Sequence, residues 1–246
     1  MIQRIKNWGK KYKVIRIIYG KTRSILWDLH DICHNSFWTM EARLLNKPLI
    51  HVIGDSHIGT FKYSPRFIMH YISGATAHNL HKKISTSNSN KMLFDYIKNI
   101  NTKKDIILLV FGEIDCRIHM YNQHKKYEIP IEDVITKTIV NYGKVMEQLK
   151  EMNLRFGIYG VPPATTQDNH YEYPYYASPE EHVKIFRKFN DTLKMYCMLN
   201  GFKYMDIYSK VVDEKGFPLE KYKKDDIHLN RKVVKFVEEW IKNVLE

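Results

Sequence analysis

The sequence predicts a three-layer α/β/α domain of about five parallel strands, preceded by a basic helical extension. Three observations predict it. Short, continuous apolar runs recur through residues 48–246, as in strands buried on both faces. Longer segments with apolar residues at helical spacing lie between those runs. The leading segment follows neither pattern and is strongly basic. Alternating strands and helices need crossover connections, which lay helices on both faces of one parallel sheet.

The elements follow in order. Ile2, Ile5, Trp8, Tyr12, Ile15 and Tyr19 recur roughly once per helical turn with lysines and arginines between them, which predicts a basic amphipathic helix interrupted by Gly9. Leu49 to Ile53 is the first strand and stops at Gly54. Phe67 to Ile72 is the second and ends near Ser73-Gly74. The polar segment Thr86 to Asn90 is a loop. Asp105 to Phe111 is the strongest strand, and Leu154 to Tyr159 is the fourth, stopped by Gly160 and Pro162-Pro163. Phe202 to Ile207 is the fifth. Ile131 to Met152 has helical spacing. Ser178 is a natural N-cap, followed by Pro179, Glu180 and Glu181, for a helix to about Leu199 that Asn200-Gly201 ends. Asn230 caps a last helix through Val244. The expected boundaries are 1–47 for the extension and 48–246 for the domain.

Length and composition agree. The chain has 246 residues, enough for one well-buried domain. Its 44% hydrophobic and 27% charged content is that of a globular protein. The formal net charge is +12, and no acidic residue precedes Asp28. Such a basic segment suits anionic partners, and peripheral membrane contact through residues 1–24 stands beside a merely solvated face. No nucleic-acid motif is present, so nucleic acid is not an expected partner. Cys33, Cys116 and Cys197 show neither disulfide nor zinc spacing. With no spanning run and no cleavable leader, the expected location is cytoplasmic, with membrane association through the extension left open.

In open parallel sheets, ligands bind beyond the carboxyl ends of the strands. Those positions carry Gly54-Asp55-Ser56-His57, then Ser73-Gly74-Ala75-Thr76, then Gly112-Glu113-Ile114-Asp115-Cys116-Arg117. Asp225-Asp226-Ile227-His228 stands just before the last helix. A serine hydroxyl needs a neighbouring base to act as a nucleophile, and a histidine can take its proton and return it to a leaving group. Ser56 alone reads equally as a helix cap. Cys116 has no evident activating base.

These four segments together resemble the motif blocks of the SGNH hydrolase superfamily, also called GDSL hydrolases. The resemblance implies a flavodoxin-like fold, Ser56 as nucleophile, His228 as general base and Asp225 as its orienting partner. It also implies an oxyanion hole built from the Ser56 and Gly74 N–H groups. No metal and no cofactor are expected; His70, His78 and His81 are scattered, and no HExxH pattern occurs. The third block departs from the family form Gly-x-Asn-Asp, because the asparagine's place is taken by Ile114, which cannot donate. It is similar to a subgroup with a Gly-Glu-Ile-Asp-Cys-Arg block found among surface-polysaccharide gene products. Arg117 or His119 is then a candidate replacement donor, with an ordinary ion pair of Arg117 to Glu113 or Asp115 as the other reading. Asp55, His57, Glu113, Asp115, Arg117 and His119 are the candidate substrate contacts. The aromatic stretch Tyr171 to Tyr176 suits either stacking on sugar rings or a hydrophobic lid.

The resulting expectation is a serine esterase that removes acyl groups, acetyl in particular, from a carbohydrate through an acyl-serine intermediate. An O-acyltransferase acting on a surface glycan or its precursor fits the same residues. So does a non-catalytic glycan-binding module.

Overall fold

A computed structural model of the protein describes Cys33, residues 36–165 and residues 173–245. The helix expected over residues 2–19 and the beginning of the aromatic stretch at Tyr171 lie outside the described residues. The chain divides into two compact units, Met1–Lys47 and Pro48–Glu246. In the first, residues 36–44 form helix α1.

The second unit is built on five parallel strands: β1 (Ile50–Gly54), β2 (Phe67–Tyr71), β3 (Ile106–Val110), β4 (Phe156–Tyr159) and β5 (Tyr204–Met205). They lie in the order β2-β1-β3-β4-β5. The chain leaves β1 toward one side for β2 and crosses to the other side for β3. Their carboxyl ends therefore diverge at a topological switch point, where such sheets open a crevice.

Alternation along the strands fills both faces of the sheet. Ile107 and Leu109 of β3 join a core with Leu93 and Ile97 of α2 (Ser89–Lys98), Ile139 and Met146 of α4 (Ile131–Glu151), and Phe186 and Phe189 of α5 (Pro179–Asn200). Ile106, Leu108 and Val110 of the same strand pack on the opposite face with Ile58, Phe61, and Val237 and Ile241 of α7 (Val234–Val244). The three-layer α/β/α arrangement follows directly. Two shorter helices, α3 (Met120–Tyr127) and α6 (Tyr208–Val211), complete the set.

The ends of the elements differ from the expectation for physical reasons. β5 keeps only Tyr204 and Met205, because the Phe202 N–H bonds to the Cys197 carbonyl at the end of α5 and the Ile207 N–H bonds to the Met205 carbonyl. Ser89 and Asn90 open α2 rather than a loop, since the buried Leu93 and Ile97 draw the segment onto the core. Asn230 caps a short 3-10 turn, Arg231–Val233, that runs on into α7. At α5, Ser178 and Glu181 form a reciprocal capping box, and Gly201 at φ +73° closes the other end.

Candidate active site

Ser56 follows the carboxyl end of β1, which lies between β2 and β3, and begins a 3-10 helix, Ser56–Phe61. Asp55 caps that helix by accepting the His57 N–H at 3.0 Å. Gly54 is needed just before it: a Cβ there would lie 2.2 Å from the Val110 carbonyl oxygen of β3. Gly54→Ala should lower stability by about 1–3 kcal/mol through overpacking, read as an earlier urea midpoint, with a larger relative loss of turnover because Ser56 shifts with the strand end.

The crevice brings Ser56 and His228 together across 172 positions of sequence, with Ser56 Oγ 2.9 Å from His228 Nε2. His228 Nδ1 lies 3.0 Å from each carboxylate oxygen of Asp225. An ionised carboxylate only accepts, so Nδ1 carries the proton and Nε2 presents its lone pair to the hydroxyl. Burial acts to raise the Asp225 pKa, but the N–H groups of His228 and Ile227 and the His228 side chain outweigh it and hold the carboxyl below its ordinary value. Asp226 pairs instead with Lys223. Ser56 and Asp225 are exposed and His228 is half-buried, so the Ser56 hydroxyl is open to water.

Hydrogen bonds from several sides hold this loop. Thr60 Oγ1 donates to the Leu229 carbonyl at 3.0 Å. The Asn230 side chain donates to the Lys221 and Lys223 carbonyls at 3.0 and 2.9 Å. The Lys224 N–H bonds to the His228 carbonyl at 2.9 Å. Asn230 therefore has a second role beyond the cap read from sequence. Nothing in the sequence marks Thr60.

Gly74 follows β2 at φ +64°, exposed in the loop beside β1. That loop is pinned from the turn after β3: Asp115 Oδ2 accepts the Ala77 N–H at 2.7 Å and Asp115 Oδ1 accepts the His78 N–H at 3.2 Å. Asp115 is fully buried, and burial pushes its pKa up to about 7 against those two hydrogen bonds. Asp115 to His119 form one π-helical turn leading into α3, a geometry common where side chains are re-aimed. Ile114 lies just before it and offers no side-chain donor.

Five of the six expected substrate contacts are buried. Asp55, His57, Glu113, Asp115 and Arg117 all lie beneath the surface, occupied by protein partners. His57 Nδ1 meets Asp55 Oδ1 at 2.9 Å, its Nε2 meets the Ile227 carbonyl at 3.3 Å, and Glu113 Oε2 stands 3.9 Å away. Arg117 Nε donates to Glu113 Oε1 at 2.6 Å, which is the ion-pair arrangement and not an outward-facing donor. His119 is partly exposed; it lines a cavity of about 470 Å³ with Asn122, Lys126, Tyr127, Tyr173 and Tyr175, and its ring meets Tyr173 edge-on at 4.9 Å. Asn122 fixes that wall by exchanging two hydrogen bonds with the Tyr175 backbone. Cys116 is buried and its thiol is pushed up by burial and by Asp115 and Glu113, the opposite of activation. Among the described residues, no group of three His, Cys, Asp or Glu side chains is placed to hold a metal, and no helix is long and apolar enough to cross a membrane.

The buried His57 gives stability a pH dependence. Burial disfavours its charge, but Glu113, Asp55 and the Ile227 carbonyl outweigh burial and push its pKa up to about 9 from 6.5. A histidine raised on folding contributes its full stabilisation below pH 6.5 and loses it as pH rises through about 9. Urea unfolding at pH 7 and pH 9.5 should therefore differ by about 2–3 kcal/mol, with the alkaline sample weaker and the difference flattened in His57→Gln.

No family model and no curated protein matches the sequence. Solved structures do match. A GDSL-like lipase from Bacteroides thetaiotaomicron superposes with a TM-score of 0.54 at 17% identity, covering 85% of this chain and 96% of that one. This chain shares its fold. A protein described as an acylhydrolase from Bacteroides fragilis gives 0.53 at 18% identity over 81% and 89% of the two chains. One ascribed to the G-D-S-L lipolytic family, from Desulfitobacterium hafniense, gives 0.51 at 12% over 81% and 100%. The neighbours are thus GDSL-like hydrolases, and the shared architecture is the α/β fold with its five-stranded parallel sheet.

Proposed function

We propose that this chain is a serine-dependent ester hydrolase that removes acetyl groups from a carbohydrate through an acyl-serine intermediate. One observation carries the reading: Ser56 Oγ, His228 Nε2 and Asp225 form a continuous hydrogen-bonded chain at the switch point of the sheet. Ser56 Oγ attacks the ester carbonyl as His228 takes its proton. His228 then returns that proton to the departing alcohol, and a water activated by the same imidazole releases the acyl group. Asp225 holds the tautomer and stabilises the imidazolium.

The oxyanion that forms is stabilised by the Ser56 and Gly74 N–H groups. With isoleucine at position 114 and Arg117 Nε engaged by Glu113, the hole rests on these two backbone donors. Each donor is worth about 10²–10³ in rate, so turnover on activated esters should be modest. The water-exposed nucleophile favours hydrolysis over acyl transfer. The cavity beside His119, walled by tyrosines and amide groups, has the aromatic and hydrogen-bonding surface that suits a sugar. A surface polysaccharide as the source of that sugar rests on the third-block resemblance alone.

The test is acetate release from an aryl acetate and from an acetylated oligosaccharide, each with and without a free sugar acceptor. The reading expects acetate from both and no acylated acceptor. Aryl acetate turnover with none on the oligosaccharide would remove the carbohydrate assignment. Acylated acceptor in excess of free acetate would make the chain a transferase.

A further inference from the structure

We infer that His57 is a positioning residue: a buried imidazolium that holds the catalytic loop through the Ile227 carbonyl, beside His228. The inference rests on the proposed role of His228 and adds to it a charge that no catalytic step consumes.

The proton count comes from geometry. His57 Nδ1 faces Asp55 Oδ1 at 2.9 Å, and Nε2 faces the Ile227 carbonyl at 3.3 Å. A carboxylate and a carbonyl both only accept, so both ring nitrogens must carry protons to satisfy them. The ring is then cationic. The charge balance agrees. Asp55, Glu113 and Arg117 are buried beside it, and an imidazolium makes these four groups neutral; Asp115, buried next to Asp55, adds only negative charge that favours the imidazolium further. A neutral imidazole would leave one uncompensated negative charge in a dry site, which is strongly disfavoured. Asp55 Oδ2 and Glu113 Oε2 are buried with no hydrogen-bond partner among the described residues, and Glu113 Oε2 lies 3.9 Å from His57 Nε2. The raised pKa of His57 points the same way.

The consequence falls on His228. Its ring centroid lies 4.8 Å from that of His57, with the planes tilted by 32°. The groups facing His57 are Asp55 from the end of β1, Glu113 from the loop after β3, and His228 with the Ile227 carbonyl from the catalytic loop; Arg117 backs Glu113 and Asp115 acts on Asp55. The groups facing His228 are Asp225, Ser56 and His57. The tether to Ile227 fixes the loop that carries His228, and so fixes where Nε2 meets Ser56 Oγ.

Two variants separate the charge from the tether. Glutamine places an amide near the former Nε2 and can still donate to Ile227, without the charge. Asparagine reaches only Asp55. In His57→Asn, which loses the tether, kcat should fall by about tenfold with little change in KM, as expected when a base is less well positioned. In His57→Gln, which keeps the tether, the fall in kcat should be smaller, about threefold. A folded His57→Asn with wild-type kcat overturns the inference. If neither variant folds, the ¹⁵N shifts of His57 in labelled wild type at pH 8 decide: imidazolium values support it and neutral values overturn it. Wild type that turns over no ester and resists acylation would sink the esterase reading instead, and the ¹⁵N measurement would still decide the charge of His57.

Discussion

Ser56→Ala should lower kcat/KM for an aryl acetate by at least about 10⁴ while leaving the fold intact. The size follows from what is removed. Without the hydroxyl there is no acyl-serine, and only the backbone oxyanion donors and ester binding remain to assist water. Ser56 is exposed and its side chain makes its described hydrogen bond to His228, so little packing is lost. His228→Ala should fall by a similar factor, and the double variant by hardly more than either alone, because the two groups act as one unit. A Ser56→Ala chain with more than a hundredth of wild-type activity would mean another nucleophile. Cys116, buried and held as a thiol, is not placed to be one.

Asp225→Asn should cost about 10²–10⁴ in kcat with KM nearly unchanged. Asp225 has two tasks. Its Oδ1 accepts the Ile227 and His228 N–H groups and so shapes the turn, and its carboxylate accepts the His228 Nδ1 proton. Asparagine can keep the first task by presenting its carbonyl oxygen to the backbone. Its amide then faces Nδ1, which forces the proton onto Nε2, the nitrogen that must receive the Ser56 proton. The loss is one of tautomer, so raising the pH should not restore the rate. The side chain of Asp225 is 48% exposed, and water screens its charge; Asp225→Ala should therefore retain more activity than Asp225→Asn. Steady-state kinetics of the two variants, with an unchanged urea midpoint for Asp225→Asn, checks this order.

Much of this site was legible in the residues. The strand-ending position of Gly54-Asp55-Ser56 and the spacing of Asp225 and His228 survive any error in element boundaries, because they are local patterns attached to strong apolar runs. The parallel sheet was equally legible, since Ile106 to Val110 are apolar at every position and no half-exposed strand tolerates that. What could not be read was set by distant partners. His57 follows Ser56 directly, yet its character comes from Glu113 and from Ile227, 170 residues away. Arg117 carries the charge of a substrate ligand, but Glu113 four residues before it claims that charge inside the protein. Asp115 belongs to a recognisable block, and its work of pinning the Gly74 loop depends on backbone N–H groups that leave no mark in sequence. The helix at Ser89 was hidden because it opens on the polar residues Ser89, Asn90 and Lys91, and its fully buried Leu93 and Ile97 come only later.

The central claim is that Ser56 is an activated nucleophile. Intact mass after brief treatment with a fluorophosphonate measures this most directly. Wild type should gain one phosphonyl group, located on the Ser56 peptide, while Ser56→Ala gains none and His228→Ala gains it far more slowly. Folded wild type that remains unmodified, or Ser56→Ala modified to the same extent, would contradict the account.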